Sequence, residues 1–239
     1  MRESLVSHPL ITHALMLLVA SFALCGIYRL ARLLANKQVA VATTLCVSLY
    51  PVFLSETLLA HREIIATALV IWGFYFYEAI SASHPESARR RAAAFVLLIP
   101  VCVLVLWLTH QGAGHAEMTN PLLLIKAFAV RLWQVTGGMG LLALTLCGLL
   151  AMTRPPLFDD KVERRRINVR AQIAIAFVIA AYVIAQSFTS GEARDVLPVI
   201  PLVMLIWIST LHRRVRRWRV VVGIVCAGFV LAFFVNRLF

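Results

Sequence analysis

Apolar residues in this chain fall into long blocks, and short polar or basic stretches separate one block from the next. Blocks of this length read as helices that cross a bilayer, since a span needs about 20 mostly apolar residues. Eight spans are predicted, at about 9–28, 38–54, 63–82, 92–109, 135–153, 169–189, 196–211 and 220–236. The shorter ones require help from flanking residues or from local thinning of the bilayer. The predicted fold class is therefore all-α, a single polytopic transmembrane helix bundle over residues 1–239, with no internal repeat and no soluble domain.

One stretch organises the rest. From Gln38 to Ala79 two apolar runs flank a polar island, SETLLAHRE (Ser55 to Glu63), and Pro51 is expected to break the first run. A charged cluster between two membrane-length segments lies where lipid ends and aqueous chemistry can begin. Two further segments are expected to be more than connectors. Residues 110–134 give a glycine-containing polar loop and then, after Asn120 and Pro121, an amphipathic stretch with Lys126 and Arg131 that suits the interface. Ser187 to Leu205 makes a polar turn that enters a helix holding Pro198 and Pro201. Prolines there would free backbone carbonyls, which only protein or a water-filled cavity could satisfy.

Composition agrees with the pattern: 61% of residues are hydrophobic and the mean hydropathy is +0.86, where a soluble domain is about half apolar. The net charge of +12 would suggest nucleic acid in a soluble protein. Here, 17 of the 23 Lys and Arg residues lie in the loops at 29–37, 84–91, 154–170 and 212–219, which are every second loop. That placement sets orientation and excludes a nucleic-acid reading. It puts both termini outside and the basic loops inside, as in a bacterial inner membrane protein. The five cysteines lie inside apolar runs without metal or disulfide-framework spacing. MRESLVSHPL carries an acid and a proline and is followed by no small-residue cleavage site, so the first run reads as a span and not as a cleaved signal.

The order of YRLARLLANKQVAVATTL, then LYPVFLSETLLAHRE, then a long aromatic-tailed helix resembles the GT-C membrane glycosyltransferases, among them the protein O-mannosyltransferases and aminoarabinose transferases. The late segment GEARDVLPVIPLVMLI is similar to that family's entry into a late helix, so the resemblance covers about 9–83 and 187–211. It implies transfer of a sugar from a polyprenyl-phosphate donor on the outer face. It also carries a departure: the family's first span and its acidic first outer loop have no counterpart before Pro9, so the expected product is a fragment or a member without that chemistry, with little sugar transfer of its own.

Such transfer needs a carboxylate to deprotonate the acceptor and cations to hold the phosphate. Glu56 and Glu63 are the candidate bases. Arg62 and Arg194, with Lys126 and Arg131, are the candidates for the lipid phosphate, and Arg62 and Arg194 are expected to converge on one outer cavity. His110, His115 and Glu117 could ligate a divalent cation. Plainer readings stand beside these. The island could be a solvated connector with a self-neutralising Arg–Glu pair, Arg194 could sit in a structural ion pair, and the arginine run at 213–219 could simply anchor headgroups. A transporter or flippase for a lipid-linked saccharide, or a non-catalytic subunit packed against another membrane protein, are the alternatives in other functional classes. A transporter would favour ionisable groups at mid-bilayer, and the span centres hold few.

Overall fold

A computed structural model describes residues 9–59, 63–83, 139–153 and 197–238. Seven helices make up this part, and among the described residues there is no strand. They are α1 (Pro9–Leu34), α2 (Lys37–Ser48), α3 (Pro51–Leu58), α4 (Glu63–Ser83), α5 (Met139–Met152), α6 (Ile200–Arg214) and α7 (Trp218–Leu238). Two helices, α1 and α4, hold segments long and apolar enough to cross a membrane, and the bent pair α2–α3 makes a third if it is one span. The predicted spans at 92–109 and 169–189 and the amphipathic stretch at 110–134 lie outside the described residues.

Helix α2 is the middle of the packing. One side lies on α1 and the other on α6 and α7. Its inward residues are small or branched (Val39, Ala40, Ala42, Thr43, Cys46 and Val47), which lets neighbouring backbones come close. Helix α4 packs chiefly on α1, where Phe22 stacks on Trp72 at 4.6 Å between ring centroids and the Trp72 indole Nε1–H donates to the Phe22 carbonyl at 3.0 Å. Helix α6 is buried by α2, α5 and α7 along most of its length.

The outer surface is apolar. Ile11, Leu15, Leu18 and Phe22 recur along one face of α1 and are exposed, as are Ile224, Leu231 and Phe234 on α7 and Leu146, Leu149 and Leu150 on α5. Stripes of this extent are uncommon on soluble monomers and are natural against acyl chains. Four hydroxyls inside the bundle bond to their own helix one turn back, Thr57 to Phe53, Thr67 to Glu63, Ser209 to Leu205 and Thr210 to Ile206, while the buried Thr43 Oγ1 makes no hydrogen bond. These four hydroxyls are thus satisfied without water.

Several boundaries differ from the sequence expectation for local reasons. Helix α1 does not stop at 28. It carries Arg29 and Arg32 on its last turns, because arginine is a good helix former and a cation favours the carbonyl end of a helix. The expected break at Pro51 is present as a 59° bend between α2 and α3. Tyr50, held extended at φ −65° and ψ 124° as a residue before proline must be, caps α3. The expectation for the late prolines needs correction. Pro198 lies in a turn over 197–199 and Pro201 in the first turn of α6, where a missing N–H is no loss, so they start this helix and do not kink it.

Candidate functional site

The polar island keeps its helical neighbours and turns them inside out. Ser55 to Leu58 finish α3, and Glu63 opens α4. On α3 the inward positions are Phe53, Glu56 and Thr57, while Leu58 and the following Leu59 are exposed. Glu56 is 6% exposed and Glu63 4% exposed. Two leucines face outward and two carboxylates face inward, the reverse of a soluble helix end. The described part of the island thus holds both carboxylates inside the protein, while residues 60–62, with the Arg62 of the expected Arg–Glu pair, lie outside the described residues.

The phase of α3 produces this. Pro51 fixes the start of an eight-residue helix, and from there Phe53 and Thr57, one turn apart, share a face with Glu56. Helix α3 packs on α1, α4 and α7, so that face is covered. Glu63 stands in the first turn of α4, where the free N–H groups and the positive end of the helix dipole favour a carboxylate. Its carbonyl accepts from the Thr67 hydroxyl at 2.7 Å, and next to it Ile64 and Ala66 are buried. Each carboxylate residue has an interaction partner within the protein.

Glu56 and Glu63 are the two predicted site residues that the structure places, and it brings both into the same end of the bundle, on helices that pack together. Arg62, Arg194, Lys126 and Arg131, proposed for the phosphate, lie outside the described residues, as do His110, His115 and Glu117, proposed for a divalent cation. Among the described residues no group of three or more His, Cys, Asp or Glu side chains could hold a metal ion. The inward carboxylates themselves can accept a proton, hold a cation or orient a hydroxyl.

Two polar contacts were missed in the sequence. Asn36 caps α2, its side-chain Oδ1 accepting from Val39 N at 2.9 Å, and its amide Nδ2 then faces the His212 ring on α6. The cap was legible from Asn36 standing before a helical run, but nothing local pairs it with a residue 176 positions away. Likewise the thiols of Cys46 on α2 and Cys226 on α7 lie 3.5 Å apart in the core. Comparison of the chain with protein-family models, with curated proteins and with solved structures finds no match.

Proposed function

We propose that the protein is a membrane glycosyltransferase of the GT-C kind, using a polyprenyl-phosphate-linked sugar on the outer face of the membrane, with Glu56 and Glu63 as its acceptor-activating carboxylates. The observation that carries this is the inverted island: carboxylates turned into a lipid-facing bundle are expensive to bury and are found where they serve chemistry or transport. Support also comes from the LYPVFLSETLLAHRE segment, whose Pro51 bend aims α3 so that Glu56 enters the bundle. Arg62, one residue before Glu63, and Arg194 supply the phosphate-holding cations in this reading.

The test is reconstitution of the purified chain in liposomes with a panel of polyprenyl-phosphate sugars and acceptors, following both donor binding and transfer. Donor binding that survives Glu63→Gln, together with weak transfer by the chain alone that this substitution lowers by a further factor of about 10²–10⁴, is the expected result. Failure of the wild-type chain to bind any donor overturns the proposal.

A second reading is favoured by the broken helix. Discontinuous spans beside buried carboxylates occur in transporters, where unwound ends line a substrate path. Movement of a fluorescent lipid-linked saccharide across liposomes containing the protein, lost in Glu56→Gln and without any sugar transfer, would select this reading.

A further inference from the structure

Tyr50 belongs to two helices at once. Its N–H donates back to the Val47 carbonyl at 3.1 Å, at the end of α2, and its own carbonyl accepts from Leu54 N at 3.0 Å, in the first turn of α3. The 59° bend between these helices is therefore set by the backbone angles of this one residue. Pro51 restricts Tyr50 to extended backbone, but the allowed region still spans about 40° in ψ. A proline permits a bend and leaves its direction open within that range.

The side chain of Tyr50 closes the range. It is 4% exposed, and its ring meets Phe229 of α7 edge-on, with 5.4 Å between centroids and 77° between planes. Phe229 is itself buried, so the core holds the seat in place. Edge-to-face pairs prefer one relative placement, because the positive rim of one ring lies on the negative face of the other. One turn earlier Cys46 of α2 lies 3.5 Å from Cys226 of α7, sulfur to sulfur, and beyond the bend α3 packs on α7 as well. Helix α7 thus runs beside the bend on both sides and fixes its angle through the Tyr50 ring. That angle matters for α3, where Glu56 and Thr57 are buried and Leu58 is exposed. Adjacent positions on a helix point about 100° apart, so a modest roll of α3 trades a buried position for an exposed one.

We infer that Tyr50, seated edge-on against Phe229, is a positioning residue for Glu56: α7 holds the ring, the ring fixes the bend, and the bend turns the carboxylate inward. That Glu56 then acts in sugar transfer rests on the proposed function, whereas the seat does not. The test uses the full chain in lipid nanodiscs, with Thr57→Cys or Leu58→Cys as the reporter and N-ethylmaleimide as the probe. Peptide mass spectrometry reads each site separately, so the native cysteines stay in place. With Tyr50 present, Leu58→Cys is expected to react about tenfold faster than Thr57→Cys, since a buried site reacts only on local opening. Tyr50→Phe keeps the ring and should keep this difference. Tyr50→Leu and Phe229→Leu keep apolar bulk but remove one ring of the pair, and each should shrink the difference to about threefold or less, in line with the worth of an edge-to-face pair. Ser209→Cys, at a buried position on α6, should stay protected in every background. An unchanged difference in Tyr50→Leu and Phe229→Leu, its loss in Tyr50→Phe, or reaction of Ser209→Cys in the leucine variants would each overturn the proposal. No sugar donor takes part in the labelling, so its outcome is separate from that of the transfer assay.

Discussion

Two glycines set how closely the helices approach. A Cβ on Gly26 would stand 2.8 Å from Trp72 Nε1, and one on Gly148 would overlap the indole ring of Trp207, so α1 receives an indole from α4 and α5 receives one from α6. Gly148→Ala is therefore expected to destabilise the fold by about 1–3 kcal/mol, the range for overpacking. Gly223, on α7, has open space around its Cβ position. Gly223→Ala should be neutral or stabilise by up to about 1 kcal/mol through helix propensity. Thermal unfolding of both variants in one detergent measures the difference, and equal midpoints would refute the close approach at Gly148. None of this was legible in the sequence, where all three glycines read alike inside apolar runs. Glu56 and Glu63 were legible as the unusual residues, but their direction was not. It depends on where Pro51 starts α3 and on which helices cover that face.

At the scale of elements the chain marked its helices well and their ends less well. A proline has one meaning inside a helix and another in its first turn. Pro51 bends a span, whereas Pro201 begins a helix, and the distinction rests on the turn over 197–199 that precedes it. The basic residues after apolar runs suggested stops, yet α1 and α6 both carry arginines within their last turns. Packing between elements is checked by the thiols. Cys46 is fully buried and Cys226 8% exposed, with 3.5 Å between sulfurs. Mild oxidation of the membrane-embedded protein with a lipid-soluble oxidant such as iodine is expected to yield a Cys46–Cys226 disulfide, detected by peptide mass spectrometry. Dominant linkage of either to Cys25 or Cys147 would mean that α2 and α7 do not meet as described.

For the whole molecule the alternation of apolar blocks and basic loops conveyed an all-helical membrane bundle, and the structure holds its clearest spans in α1 and α4. The path from Asn36 through α2 and α3 puts Leu59 and the turn over 215–217 at opposite ends of the bundle. In a background without native cysteines, an impermeant thiol reagent should therefore label Leu59→Cys and Arg216→Cys from opposite sides of the membrane. Labelling of both from one side would reject this path. Helix α6 has a consequence for biogenesis. Twelve residues, Ile200 to Leu211, precede its His-Arg-Arg end, a rise of about 18 Å against a hydrocarbon layer of about 30 Å. Such a segment partitions poorly by itself as it leaves the ribosome, so it is expected to wait for α7 and to enter the bilayer with it as a hairpin. Truncation at residue 215 should leave α6 uninserted and open to protease in isolated membranes, while extension to residue 239 should protect it. Co-translational insertion here would then be a property of a pair of helices.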